Sequence, residues 1–262
     1  MTPSLYSCTQ QCLFCWRAQS GDMQIHWDEM HNPNTDTPEQ IVEGCFRAQE
    51  RIISGYKGNE KTDWRKFQEA MRPNQVAISL TGEPTLYAPL GELLGAFHQR
   101  GLTTFLVTNG NLPQKLSQLS QEPTQLYVSL CAPNEEVYNK ICRPQFSEAW
   151  KKLNETLGML QSFRCPTATR MTLVKNYNMG EVEGYAKLIE KAQPTYIEAK
   201  AYMHIGFSNL RLGFDRMPMH EEVKEFAQKL AVQTGYRIIN EAPESRVVLL
   251  SRLEKPILVG KS

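Results

Sequence analysis

The sequence predicts an α/β fold, a partial TIM-like (β/α)6 barrel with an incomplete first strand, and three observations carry that expectation. From Gln75 onward short apolar runs alternate with longer runs of helical period, in the order strand, helix, strand, helix. Polar motifs follow those runs at their carboxyl ends, where a parallel barrel collects its site on one face. The chain has 262 residues and is 41% hydrophobic, enough for the core of one large domain, so residues 1–262 are expected to form a single domain.

Bulk properties exclude several classes. Lys plus Arg number 29 against 28 Asp plus Glu, a formal charge of +1, so overall charge makes no case for nucleic acid and only a local basic face remains open. The seven cysteines are an odd number, follow no apolar targeting segment, and group most tightly at ligand spacing; a reducing cytoplasm is expected. No apolar run approaches the roughly 20 residues of a membrane span, so no membrane partner is expected.

Taken in order, Met1 to Tyr6 is too short for a full strand and turn, and the chain is expected to begin partway through its first strand. Next comes Ser7-Cys8-Thr9-Gln10-Gln11-Cys12-Leu13-Phe14-Cys15-Trp16. A C-x3-C-x2-C loop can turn three thiolates toward one point, as an iron–sulfur cluster requires, and no fourth cysteine follows until Cys45. One iron would then stay open to a ligand. Two other readings stand beside this one: zinc held by the three cysteines with a histidine such as His26, or thiols with a structural role only. Arg17 to Asp36 is polar and without apolar period, a loop over the mouth.

Thr37-Pro38-Glu39-Gln40 is a helix start with a capping box, and Ile41, Val42, Cys45, Phe46, Ile52 and Ile53 recur on one helical face, which makes Cys45 a core thiol. Between Gly55 and Pro73, Lys57, Lys61, Arg65, Lys66 and Arg72 interleave with Tyr56, Trp64 and Phe67. That composition suits phosphates and stacked bases, and equally a short helix with a solvated basic face. Gln75 to Thr81 reads as a buried strand. At its end Gly82 lets the backbone approach a ligand, and Glu83 offers a carboxylate to an ammonium group.

Leu86 to Arg100 reads as a helix, Thr103 to Asn109 as a strand, Leu112 to Leu119 as a short helix and Gln125 to Leu130 as a strand. Thr108, Asn109 and Ser129 therefore sit at strand ends, and Cys131 follows the last of them. Ala132 to Pro144 reads as a polar connection and Ser147 to Phe163 as a helix. Ala168 to Val174 is the next strand, on which Arg170 alternates with apolar neighbours and can aim into the barrel. Gly180 to Ala192 is helical and Thr195 to Ala201 a strand whose Glu198 and Lys200 share a face. These two can pair in the cavity, and a desolvated lysine there can form a Schiff base with a keto acid. Tyr202 to Met219 is a long loop with Arg211 and Arg216 placed to meet a large substrate. Glu221 to Thr234 is a helix stopped by Gly235, and Tyr236 to Ile239 with Arg246 to Leu250 closes or caps the sheet.

The cysteine loop with Phe14 before its third cysteine, and Gly82-Glu83-Pro84 some 65 residues on, resemble the motifs of the radical S-adenosylmethionine (SAM) enzymes. Thr81 stands where many members carry a further glycine. A closer resemblance runs over nearly the whole chain: Met1-Thr-Pro-Ser, Cys15-Trp-Arg17, Ser79-Leu-Thr-Gly-Glu-Pro-Thr85, Leu126-Tyr-Val-Ser129, Ile141-Cys-Arg-Pro144, Thr172-Leu-Val-Lys175, Lys200-Ala-Tyr-Met-His204 and Met217-Pro-Met-His-Glu-Glu222 are similar to the tRNA 4-demethylwyosine synthase family. The resemblance implies a radical SAM carbon–carbon lyase. It would use SAM and a reduced [4Fe–4S] cluster to take hydrogen from the methyl group of 1-methylguanosine beside the anticodon of phenylalanine tRNA, and would close a third ring with two carbons of pyruvate. It further implies that Cys8, Cys12 and Cys15 hold the cluster and that Gly82, Glu83 and Pro84 hold the SAM methionine; Thr108, Asn109 and Ser129, from their places at strand ends, and Arg170, from its inward face, are candidates for the rest of SAM. Lys200 is the candidate catalytic residue, and flavodoxin or ferredoxin the candidate electron donor.

The family carries three further cysteines upstream for a second [4Fe–4S] cluster. Cys45, Cys131, Cys142 and Cys165 do not reproduce their spacing, and the expectation is that the sequence is a fragment or has a misplaced start, the alternatives being an active variant that handles pyruvate differently and a chain that has lost activity. The competing functions are a radical SAM enzyme with another substrate and a non-catalytic, zinc-stabilised RNA-binding module.

Overall fold

The computed structural model describes residues 1–32 and 35–259. Five parallel strands form most of one sheet: β1 (Gln75–Ile78), β2 (Thr103–Thr108), β3 (Gln125–Ser129), β4 (Thr167–Leu173) and β5 (Tyr196–Ala201). The last two strands, β6 (Arg237–Ala242) and β7 (Val247–Ser251), are antiparallel, and β7 lies between β5 and β6. The sheet is open, with β1 and β6 at its edges among the described strands. Met1 adds one rung outside β1: its amino group donates to Ala77 O at 2.8 Å and its carbonyl accepts from Ser79 N at 2.9 Å. That is the bond pattern of a parallel neighbour.

Alternation along the strands separates two faces. Leu106, Leu126, Val128, Met171, Leu173, Ile197 and Ala199 are fully buried, packed toward the helices. Val107, Tyr127, Ser129, Arg170, Thr172, Glu198 and Lys200 are half-exposed on the other, concave face. Each buried aliphatic side chain contributes about 1.5–3 kcal/mol, so the helix-covered face fixes the strands and leaves the concave face free for polar chemistry.

The helices follow their local signals. Helix α1 (Pro38–Ser54) starts on the expected capping box, with Thr37 accepting from Gln40 N and the Gln40 side chain accepting from Thr37 N. Helix α2 (Trp64–Ala70) is capped by Asp63, and α3 (Leu90–Gln99) begins later than the pattern predicts, because a single 3-10 turn occupies Pro84–Leu86. After the short α4 (Pro113–Ser117), the expected polar connection at 132–144 contains a helix, α5 (Glu135–Cys142). Asn134 caps it by accepting from Val137 N at 2.9 Å, and Glu135 and Glu136 complement the dipole of its first turn. Helices α6 (Ala149–Met159), α7 (Val182–Ala192) and α8 (His220–Thr234) complete the outer layer, α8 ending on Gly235 at φ 69°.

Strand β1 also departs from expectation. It is four residues long rather than seven, and only Ile78 is buried. The chain leaves the ladder at Ser79 and passes Leu80 at φ 88°, which swings the following Gly-Glu-Pro turn over the end of the sheet.

Candidate active site

The cysteine loop is held by a second segment that lies more than a hundred residues away. Gln10 pairs antiparallel with Pro144. Gln11 N donates to Arg143 O at 3.0 Å, Leu13 N to Ile141 O at 2.9 Å, and Gln145 N to Thr9 O at 3.0 Å. The end of α5 is thus a template for the loop, and Arg143 turns the chain there at φ 48°. Beneath lies a buried amide network. Gln10 Nε2 donates to Asn111 Oδ1 at 3.0 Å and to Tyr138 Oη at 2.7 Å, and Asn111 Nδ2 donates to Tyr138 Oη and Ala149 O at 2.8 and 3.0 Å. Such a network fixes orientation because each buried polar group is costly if left unpaired.

Gly82 packs against the same loop. At φ 68° it tolerates a left-handed backbone, and a Cβ there would collide with the carbonyl oxygens of Ser4 and Ser7. Glu83 N donates to Ser7 O at 2.7 Å. The Glu83 carboxylate is buried and accepts four hydrogen bonds: Oε1 from Thr85 N at 3.1 Å, Thr85 Oγ1 at 2.7 Å and Thr108 Oγ1 at 2.6 Å, and Oε2 from Asn109 N at 2.8 Å. Burial pushes this carboxyl above the ordinary range, although all four donors favour its charged form. Oε2 has the free capacity for a further donor. Asn109 Nδ2 reaches Thr9 Oγ1 at 2.8 Å and Cys8 Sγ at 3.8 Å, tying the end of β2 to the first cysteine.

One cavity unites these groups. Cys8, Cys12, Gly82, Glu83, Thr108, Asn109 and Ser129 all line it, and the buried Cys131 borders it as well. Ser129 is half-exposed there, whereas Thr108 serves Glu83 directly. Pro84 is buried in the turn behind. Cys15 is half-buried at the loop's far end, and Cys45 packs on the core as read.

The donor set fits an iron–sulfur cluster and a cationic cofactor. Burial drives the Cys8 thiol well above its usual range, and the neighbouring Glu83, Cys12 and Cys15 charges push it further; burial and Cys12 raise Cys15 in the same way. Three thiols and a buried carboxylate so arranged call for positive charge, which a metal cluster and an ammonium group provide. A single zinc ion needs its ligands within about 2.3 Å of one point. Among the described residues no group of three Cys, His, Asp or Glu side chains is placed to hold a single metal ion, and His26 is exposed in its loop. A cluster binds each cysteine through a different iron.

The β4 and β5 side differs from expectation in two places. Glu198 pairs with Arg170, not Lys200: Arg170 Nε stands 2.7 Å from Glu198 Oε1, and its guanidinium lies 4.6 Å from the Tyr127 ring centre. The rungs explain it, since Arg170 is directly opposite Glu198 and Lys200 is opposite Thr172. Lys200 lies beyond the cavity of the cysteines, two strands from β3 and hence roughly 10 Å away along the sheet. Arg211 and Arg216, expected to meet a substrate, are engaged within the protein. Arg211 is buried against the cysteine loop and Asp22, and Arg216 pairs with Asp215 at 3.1 Å. Sequence reasoning singled out Arg211 but not its contacts with the cysteine loop, which no local pattern announces. The basic stretch, with Trp64 and Tyr56 exposed, links the C-terminus of α1 to the amino end of β1, at the opposite end of the strands from the cysteines. No helix among the described residues is long and apolar enough to cross a membrane.

Comparison with known families agrees with this geometry. The family model described as the radical SAM superfamily matches residues 3–189, so the chain is a radical SAM enzyme by fold and family. A second model, wyosine base formation, matches residues 191–252. The chain is 46% identical to the S-adenosyl-L-methionine-dependent tRNA 4-demethylwyosine synthase of Pyrococcus abyssi over 96% of its length and 74% of that protein. It is 39% identical to the enzyme of the same name from Methanocaldococcus jannaschii, over 98% of this chain and 81% of the other. A solved structure of TYW1 with a lysine-pyruvate adduct bound superposes with a TM-score of 0.86 at 37% identity, covering 100% of this chain and 81% of that one. The chain belongs to the tRNA 4-demethylwyosine synthase family.

Proposed function

We propose that the chain converts 1-methylguanosine next to the anticodon of phenylalanine tRNA, with pyruvate, to 4-demethylwyosine. The single observation that supports this most directly is the cavity in which Cys8, Cys12, Gly82, Glu83, Asn109 and Ser129 meet, on the same concave face as Lys200. Cys8, Cys12 and Cys15 hold one [4Fe–4S] cluster with an open iron. Gly82, Glu83 and Pro84 receive the methionine end of SAM, Glu83 Oε2 taking the ammonium group. Asn109, Ser129 and Arg170 border its remainder, with Thr108 orienting Glu83. When bound, cluster and SAM supply a carbon-centred radical; the chain's task is to orient the reacting groups and exclude water.

Lys200 is assigned to the carbon donor. Its amine condenses with the keto group of pyruvate, forming a carbon–nitrogen double bond and releasing water. Support comes from its half-buried position on the concave face, outside any ion pair among the described residues, and from the lysine-pyruvate adduct in the related TYW1 structure. Residues 1–262 act as one catalytic domain, in the cytoplasm where tRNA and a flavodoxin- or ferredoxin-type electron donor are at hand.

The test is nucleoside analysis of tRNA from a strain lacking the gene. Wyosine-type nucleosides should vanish and 1-methylguanosine accumulate beside the anticodon. Unchanged wyosine content would overturn the assignment and favour another substrate.

A further inference from the structure

We infer that Arg211 is a positioning residue that clamps the cysteine loop to the segment descending from β5, an inference that takes its functional meaning from the reading of that loop as the cluster site. The Arg211 side chain is only 8% exposed. Its Nη1 pairs with Asp22 Oδ2 at 2.6 Å. Nε donates to Leu13 O at 3.4 Å, and Nη2 donates to Cys15 O and, at 3.2 Å, to Arg17 O. All three carbonyls belong to the turn that presents Cys15. A guanidinium is the side chain with enough donors in a fixed plane to serve three carbonyls and a carboxylate together; an ammonium, with three donors at one point, cannot span them.

A second contact lies four to five residues earlier. Phe207 N donates to Trp16 O at 2.9 Å, and Gly206, at φ 58°, comes so close that a Cβ there would overlap the same carbonyl. The docked segment, 206–211, begins five residues after β5 ends at Ala201, and Lys200 is the penultimate residue of that strand. The part of the chain matched by wyosine base formation thereby reaches back and fixes the loop of the radical SAM part. The consequence is a set spacing between the cofactor side of the mouth and the lysine side.

The test compares wild type with Arg211→Gln, Arg211→Lys and Asp22→Asn, each first shown to be folded by circular dichroism. In the cluster-free proteins, hydrogen exchange at the bonded amides of Leu13 and Cys15 should be about tenfold faster in both Arg211 variants, as expected for loss of charge-assisted hydrogen bonds, and faster to a smaller extent in Asp22→Asn. Amides of β3 and β4 should not change. After anaerobic reconstitution, iron should pass to a chelator about tenfold faster from the Arg211 variants than from wild type. Unchanged exchange at Leu13 and Cys15, full rescue by lysine, or acceleration spread equally over β3 and β4 would each overturn the clamp. Wild type that binds no iron would overturn the cluster reading instead, while the exchange measurement still decides the clamp.

Discussion

At the ends of β1 and β2, the Glu83 carboxylate takes four hydrogen bonds from Thr85, Thr108 and Asn109. At the end of β5, Lys200 sits in no ion pair among the described residues, and Arg170 and Glu198 on the same face are spent on each other. The first region is finished before any ligand arrives; the second is open. On the proposed function, that difference matches what each side would handle. A cofactor bound in one pose gains from a preorganised, dry cradle, whereas a lysine proposed to form and release a covalent adduct needs room and access.

The comparison predicts unequal costs of substitution. Glu83→Gln keeps the shape of the side chain but sets an N–H against the Asn109 N–H or a hydroxyl donor, leaving a buried donor unpaired. The expected loss is about 1–3 kcal/mol of folding stability, together with at least a tenfold weaker SAM affinity, since removing the charge deprives the ammonium of its partner. Urea denaturation and SAM titration measure the two separately. A variant as stable as wild type would show that the cradle is not prebuilt.

How much of this was legible beforehand depends on the distance over which each feature acts. The Thr37 capping box, the cysteine spacing and the Gly82-Glu83 turn are local patterns, and each stands where the sequence places it. Helix α5 carried a local signal too, Asn134 ahead of two glutamates, that was outweighed by the polar composition of 132–144. The pairing of 9–13 with 141–145 and the reach of Arg211 to Cys15, 196 residues away, have no local signature. Nor does the insertion of β7 between β5 and β6, because which edge a hairpin presents is settled by tertiary packing. The Glu198–Lys200 pairing failed for a related reason: on a strand, residues two apart share a face, but the closer partner is the one directly across the ladder.

On the open side the effect on stability should be small and the effect on chemistry complete. Lys200→Ala removes a half-buried side chain without an ion-pair partner, so its stability should stay within about 1 kcal/mol of wild type. Borohydride treatment in the presence of pyruvate should add the reduced three-carbon unit to wild type and not to the variant, as intact mass spectrometry would show. An adduct of equal yield in Lys200→Ala would place the covalent chemistry on another lysine and remove the contrast between the two sides.

The smallest effect concerns a second ion pair near the open side. Glu222 Oε2 accepts from Lys175 Nζ at 2.6 Å and from Met219 N at 2.7 Å, joining the segment after β4 to the first turn of α8. Slight burial opposes ionisation, but Lys175 and the Met219 N–H outweigh it and hold the carboxyl below its ordinary 4.5. A folded-state value below the unfolded one means that the unfolded chain binds the proton first as pH falls, so this contribution is present above the unfolded value and is lost as pH drops through the folded one. Because the pair is partly exposed, its contribution should be below about 1 kcal/mol and should shrink with salt. Glu222→Gln should therefore flatten the acid limb of the stability curve slightly, with no change near neutral SAM affinity. A larger flattening, or one that also weakens SAM binding, would mean that the open side is braced from α8 far more firmly than the pairing of Arg170 with Glu198 alone implies.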